Sequence, residues 1–141
     1  MPKSLIRPLA IFSSLKVNEQ PWISRLLRLA AAYHVLLGLE LLIDPKALFV
    51  IAELPVPTYD WLVRGLGGYV LMMAMGYAVA SRDPYRYWII GFIGLVMKLG
   101  ITIGISIYIA LGLLPMGTLV LVLINDVVWL LPLWRYQWRV Y

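Results

Sequence analysis

Four segments of about 20 residues, each nearly free of charge, recur along this 141-residue chain and limit its possible folds more than any motif does. A helix of that length rises about 30 Å, enough to cross the hydrocarbon layer of a bilayer. The rest of the chain is too short and too apolar to clothe such helices for water. Apolar residues make up 62% and charged residues 13%, against about a quarter charged in an average soluble domain. The sequence therefore predicts an all-α membrane protein, a four-transmembrane-helix bundle with spans near 22–43, 59–80, 87–112 and 118–133 and no separate soluble domain. Asp44-Pro45, Pro55-Val56-Pro57, Asp83-Pro84 and Leu114-Pro115-Met116-Gly117 punctuate the spans as turn formers. Trp22, Tyr59, Trp61, Tyr85, Tyr87, Trp88, Trp134, Tyr136 and Trp138 gather at their ends, as interfacial aromatics do.

The basic residues orient the bundle. Lys3, Arg7, Lys16, Arg25, Arg28, Arg82, Arg86, Arg135 and Arg139, nine of the twelve, fall on one side, with Lys46 and Arg64 on the other. Positive charge collects on the cytoplasmic face, so both termini are expected there. The net charge of +5 then reflects topology and contact with anionic lipid headgroups, not nucleic acid. Residues 1–21 read as a basic interfacial or partner-binding arm, because Arg7 and Pro8 break an apolar stretch too short for a cleaved signal peptide. Residues 135–141 read as an aromatic-basic tail suited to anchoring or docking.

Several chemistries find no support in the sequence. With no cysteine, disulfides and thiolate-held metals are excluded. A single histidine, His34, rules out a haem site with two histidine ligands inside one copy. Gly65, Gly67 and Gly68 in RGLGGY lie within a span with no strand before them, so they are not a phosphate loop. The sequence thus carries no metal, haem or nucleotide motif and leaves any cofactor unknown.

What remains is a set of polar residues at membrane depth. Lys98 sits about ten residues into the third span, roughly 15 Å deep and too far to snorkel. An ionisable group there costs at least about 2.5 kcal/mol unless it is partnered. The short turn between the third and fourth spans makes them antiparallel neighbours, which brings Asn125 and Asp126 to a similar depth and makes Asp126 the expected partner of Lys98. Gly91, Gly94, Lys98 and Thr102 share one helix face, as do Val122, Asn125 or Asp126, and Trp129. Small residues on such a face permit close packing. Gly100 and Gly104 form a small-xxx-small pattern suited to packing within the bundle or to self-association. His34, Tyr33 and Tyr69 complete a candidate cluster or ligand pocket, Tyr77 lies on the same span as Tyr69, and a midplane histidine beside a tyrosine suits a proton carrier or a hydrogen bond to a quinone-like head group. Hydrogen bonding across helices explains each of these residues singly. Glu40 and Arg64, nearly symmetric about the first loop, are expected to form a second ion pair near the outer surface.

The residues Gly76-Tyr77, Asp83-Pro84, Arg86, Gly94, Lys98, Asn125-Asp126, Trp129 and Pro132, spread over Leu29 to Trp134, give the chain its likeness to a known group. It resembles small DoxX-like proteins of the bacterial inner membrane, many of them uncharacterised. The resemblance implies a multi-pass protein of the inner (plasma) membrane and an association with membrane redox systems, including quinone-linked sulfur oxidation, without supplying a catalytic residue set. The leading expectation is a non-catalytic membrane subunit, of a homo-oligomer or of a larger electron-transferring complex. A binder or carrier of a quinone-like molecule, lipid, ion or proton is the alternative. A membrane enzyme with Asp126 or His34 moving protons ranks last, since no nucleophile lies beside a base.

Overall fold

The computed structural model describes residues 21–51 and 54–140, all helices and their connections. The helices are α1 (Pro21–Ile43), the short α2 (Ala47–Ile51), α3 (Asp60–Ala80), α4 (Trp88–Ala110), α5 (Thr118–Val122) and α6 (Val128–Val140), with a π turn, Leu123–Val127, between the last two. Through that turn, Thr118–Val140 runs as one helix, and it joins α1, α3 and α4 as four helices long and apolar enough to cross a membrane. The first 20 residues of the expected basic arm lie outside the described residues, and Pro21 already belongs to α1.

Local chemistry sets the ends. Between α3 and α4, Asp83 accepts a hydrogen bond from the Arg86 amide at 3.1 Å through its side chain and from the Tyr87 amide at 3.1 Å through its carbonyl. This is a tight acidic turn ahead of a helix start. α4 ends two residues before the expected position because Gly112 turns left-handed at φ 72°. Leu113 N–H bonds Tyr108 O and Gly112 N–H bonds Ile109 O, both at 2.9 Å, the glycine-terminated stop that satisfies the last carbonyls.

The fourth span differs from expectation at its far end. Residues 135–140 do not form a separate tail but continue α6, and they bury Tyr136 and Gln137. Pro132 lies inside this helix as its fifth residue, so its missing N–H leaves only the Val128 carbonyl, at the helix start, without the donor four residues on.

Packing is closest between α1 and α3. A Cβ on Gly38 would stand 2.9 Å from the Gly67 carbonyl, and one on Gly67 would stand 2.9 Å from the Gly38 carbonyl. The two backbones touch, and only glycine fits on either side. Gly67 thus has a packing role within RGLGGY, while Gly65 and Gly68 face open space. At the end that carries Trp22 and Trp88, the core is formed by Ile23, Leu27, Ala30, Ala31, Tyr77, Ala80, Leu95, Leu133 and Tyr136.

Candidate functional site

Three helices converge on one level of the bundle and place a polar cluster there. Lys98, on the buried face of α4, is 7% exposed in its side chain, and Asp126, in the π turn, is 3% exposed. The ammonium lies 3.3 Å from Asp126 Oδ1 and donates a shorter bond, 2.6 Å, to the Asn125 backbone carbonyl. A π turn holds one more residue than an α turn. Here Val128 N–H reaches back five residues to Leu123 O, and within that turn Asn125 gives its carbonyl to Lys98.

Asn125 ties the pair to α1. Its Oδ1 accepts from the Tyr33 hydroxyl at 3.0 Å, and its Nδ2 donates to Asp126 Oδ1 at 3.2 Å. His34, the next residue on α1, donates from Nδ1 to Ala30 O at 2.7 Å. A neutral imidazole bonded in this way leaves Nε2 as a bare acceptor. Around it stand the rings of Tyr33, Tyr77 and Trp129, with centroids 5.4, 5.1 and 6.3 Å away. Tyr33 also meets Trp129 at 5.3 Å, so the aromatic shell joins α1 to the fourth span.

His34, Tyr33, Lys98, Asn125 and Asp126 thus come together. Tyr69 does not join them. It lies half-buried on α3, two turns from Tyr77 and roughly 12 Å along the axis, and bonds none of the cluster. Tyr77 and Trp129 occupy the place at the rings instead. The signal for Trp129 was its position four residues after Asn125, on the same helix face.

The expected pair of Glu40 with Arg64 does not form. Arg64 Nη1 instead donates to the Leu42 carbonyl. Gly38, Leu41 and Leu42 face Gly67 on α3, and Glu40, two residues from Gly38 and from Leu42, is turned some 160–200° away at 100° per residue. Its carboxylate is shielded near the Leu48 backbone without a full hydrogen bond. Among the described residues the ion pair at this end is Lys46 with Asp60, at 3.3 Å and about half exposed, so it adds little.

Of the expected packing glycines, Gly91 and Gly94 are buried. A Cβ on Gly91 would meet Tyr136 and Gln137, and one on Gly94 would meet the Tyr77 hydroxyl. A Cβ on Gly100 or Gly104 would meet nothing within 4 Å among the described residues, so these two glycines make no close packing with them, although α4 stays against α5 at this height, where Thr118 and Val122 are buried. Among the described residues, no three His, Asp or Glu side chains converge as metal ligands.

Compared with models of protein families, with curated proteins and with solved structures, the chain finds no match.

Proposed function

We propose that this chain is a non-catalytic integral membrane subunit, of a homo-oligomer or of a larger electron-transferring complex, DoxX-like and seated in the bacterial inner membrane with both termini in the cytoplasm. The outer half of α4 carries this reading. Among the described residues from Leu99 to Ala110 none is fully buried and only Thr102, Gly104, Ile105 and Ile109 are half-buried, whereas the preceding turns bury Gly91, Gly94, Leu95 and Lys98. The exposed half presents Gly100 and Gly104 with nothing in front of them, a surface that a helix of another polypeptide can approach closely. The polar cluster suits a scaffold too, since its charges close on each other and on backbone and so fix the register of α4 against the fourth span.

Because the chain has no cysteine, Ile103→Cys introduces a single thiol on this face. Cross-linking in native membranes should give a product containing a second chain, and gentle solubilisation should give a mass above one copy. A lone monomer with no cross-link and no co-purifying protein would sink the proposal.

A second reading is favoured by His34. Its ring, bonded through Nδ1 to Ala30 and packed against three aromatic rings, keeps Nε2 as an acceptor, which suits a quinone-like head group or a transferred proton. Lys98→Met and Asp126→Asn, each folded, would lower ligand binding or proton flux under this reading and leave both unchanged under the first.

A further inference from the structure

The end of α6 repeats one pair of residues, Trp134-Arg135 and Trp138-Arg139, four positions apart. At 100° per residue, these four and Leu131 fall within about 140° of one another on the helix surface. The opposite face is fixed inside the bundle. Tyr136, fully buried, donates to Pro84 O at 2.6 Å, and Gln137 Nε2 donates to Trp88 O at 3.3 Å. The helix therefore cannot roll to hide the Trp-Arg face. Trp134 and Trp138 are 60% and 77% exposed, and with Arg135 they line an open groove of about 340 Å³.

Arg135 lines this groove, Arg139 lies one turn further along the same face, and among the described residues neither has an acidic partner. Arg135 lies over the Trp22 ring at 5.5 Å. Like charges four residues apart on a helix repel, an arrangement that an anion between them would turn favourable. The groove sits at the end of a membrane span, the depth of phospholipid headgroups, and Leu131 and Val128, 79% and 64% exposed, lead from it toward the bilayer centre. Residues 1–20 have the wrong sign to fill it, with Lys3, Arg7 and Lys16 against Glu19.

We propose that this groove is a binding site for an anionic phospholipid, with the phosphate between Arg135 and Arg139, the two indoles flanking the glycerol region and an acyl chain along Leu131 and Val128. Arginine recognises phosphate through paired N–H donors, and tryptophan prefers the headgroup boundary.

The test is native mass spectrometry of the full chain in detergent with added phosphatidylglycerol or phosphatidylcholine. The wild type should retain phosphatidylglycerol in preference, and Arg135→Gln/Arg139→Gln should weaken that retention by about five-fold per arginine removed. Arg25→Gln/Arg28→Gln, at the same end of the bundle, should keep it. Arg139→Gln alone, whose parent side chain makes no hydrogen bond or ion pair among the described residues, gives the same reading should the double variant fold poorly. Equal retention of the two lipids, an equal loss in the Arg25/Arg28 variant, displacement by excess inorganic phosphate, or a second polypeptide retained there in place of lipid would each overturn the proposal.

Discussion

At Gly94 there is no room for a side chain because the Tyr77 hydroxyl lies against its α-carbon, and that hydroxyl is buried with no hydrogen-bond partner among the described residues. Gly94→Ala should cost about 1–3 kcal/mol through overpacking. Tyr77→Phe removes the nearest obstructing atom and an unsatisfied polar group, so alone it should be neutral or slightly stabilising, and it should restore part of what Gly94→Ala loses, since the ring carbon behind the hydroxyl would still stand 2.9 Å from the new Cβ. Thermal or denaturant unfolding in detergent across this double-mutant cycle checks the coupling; additive losses would refute it. The Lys98 and Asp126 pair obeys a different balance. At 3.3 Å the attraction is about 5 kcal/mol at an effective dielectric of 20, and burying two ions costs several kcal/mol each. The pair is therefore near break-even, while either charge alone is expensive. Lys98→Met or Asp126→Leu should each destabilise by about 3–5 kcal/mol, and the double substitution by much less. The same unfolding measurement decides, and a double variant as unstable as the sum of the singles would show that the two charges are not coupled.

Between elements, the closest approach is made by glycines and not by charges. Gly38→Ala or Gly67→Ala should push the α1 and α3 backbones apart and cost about 3 kcal/mol. Gly65→Ala and Gly68→Ala, which meet open space, should be neutral or gain a few tenths of a kcal/mol from helix propensity. Unfolding of the four variants side by side tests this, and equal losses would mean the two backbones do not touch. The contrast also marks what the sequence could convey. Span existence was legible because apolar length and flanking turns are local signals, and the level of Lys98 with Asp126 was legible because a short connection fixes antiparallel depth. Which glycine of RGLGGY touches α1 depends on the rotation of α3, which hydropathy does not encode. The misplacing of Glu40 has the same origin: depth along α1 brings it near Arg64, but helical phase turns it away. Continuation of α6 past Pro132 was hidden because proline and a run of Trp and Arg resemble an ending, while the buried partners of Tyr136 and Gln137, Pro84 and Trp88, are about 50 residues away in the chain.

For the whole molecule, the contacts divide the bundle into two ends of unlike character. Tyr136 with Pro84, Gln137 with Trp88, and Arg135 with Trp22 tie the start of α1, the turn between α3 and α4, and the end of α6 into one end. Lys46 with Asp60 lies at the other. Arg25, Arg28, Arg82, Arg86, Arg135 and Arg139 all belong to the first end. In the orientation proposed above this end is the cytoplasmic one, where the positive-inside rule would hold it during insertion and an anionic leaflet would attract it by about 1 kcal/mol per residue. Reporter fusions that are active only in the cytoplasm should therefore work at Tyr141 and in the Arg82–Arg86 turn, whereas reporters that need export should work only near Lys46 and Met116. Replacing Arg82, Arg86, Arg135 and Arg139 by Gln while adding lysines beside Lys46 should weaken this preference and give a mixed population. Unchanged reporter activities would mean that orientation is set by the first span and its preceding residues alone, and full export of the Tyr141 fusion in the wild type would reverse the assignment of the two ends.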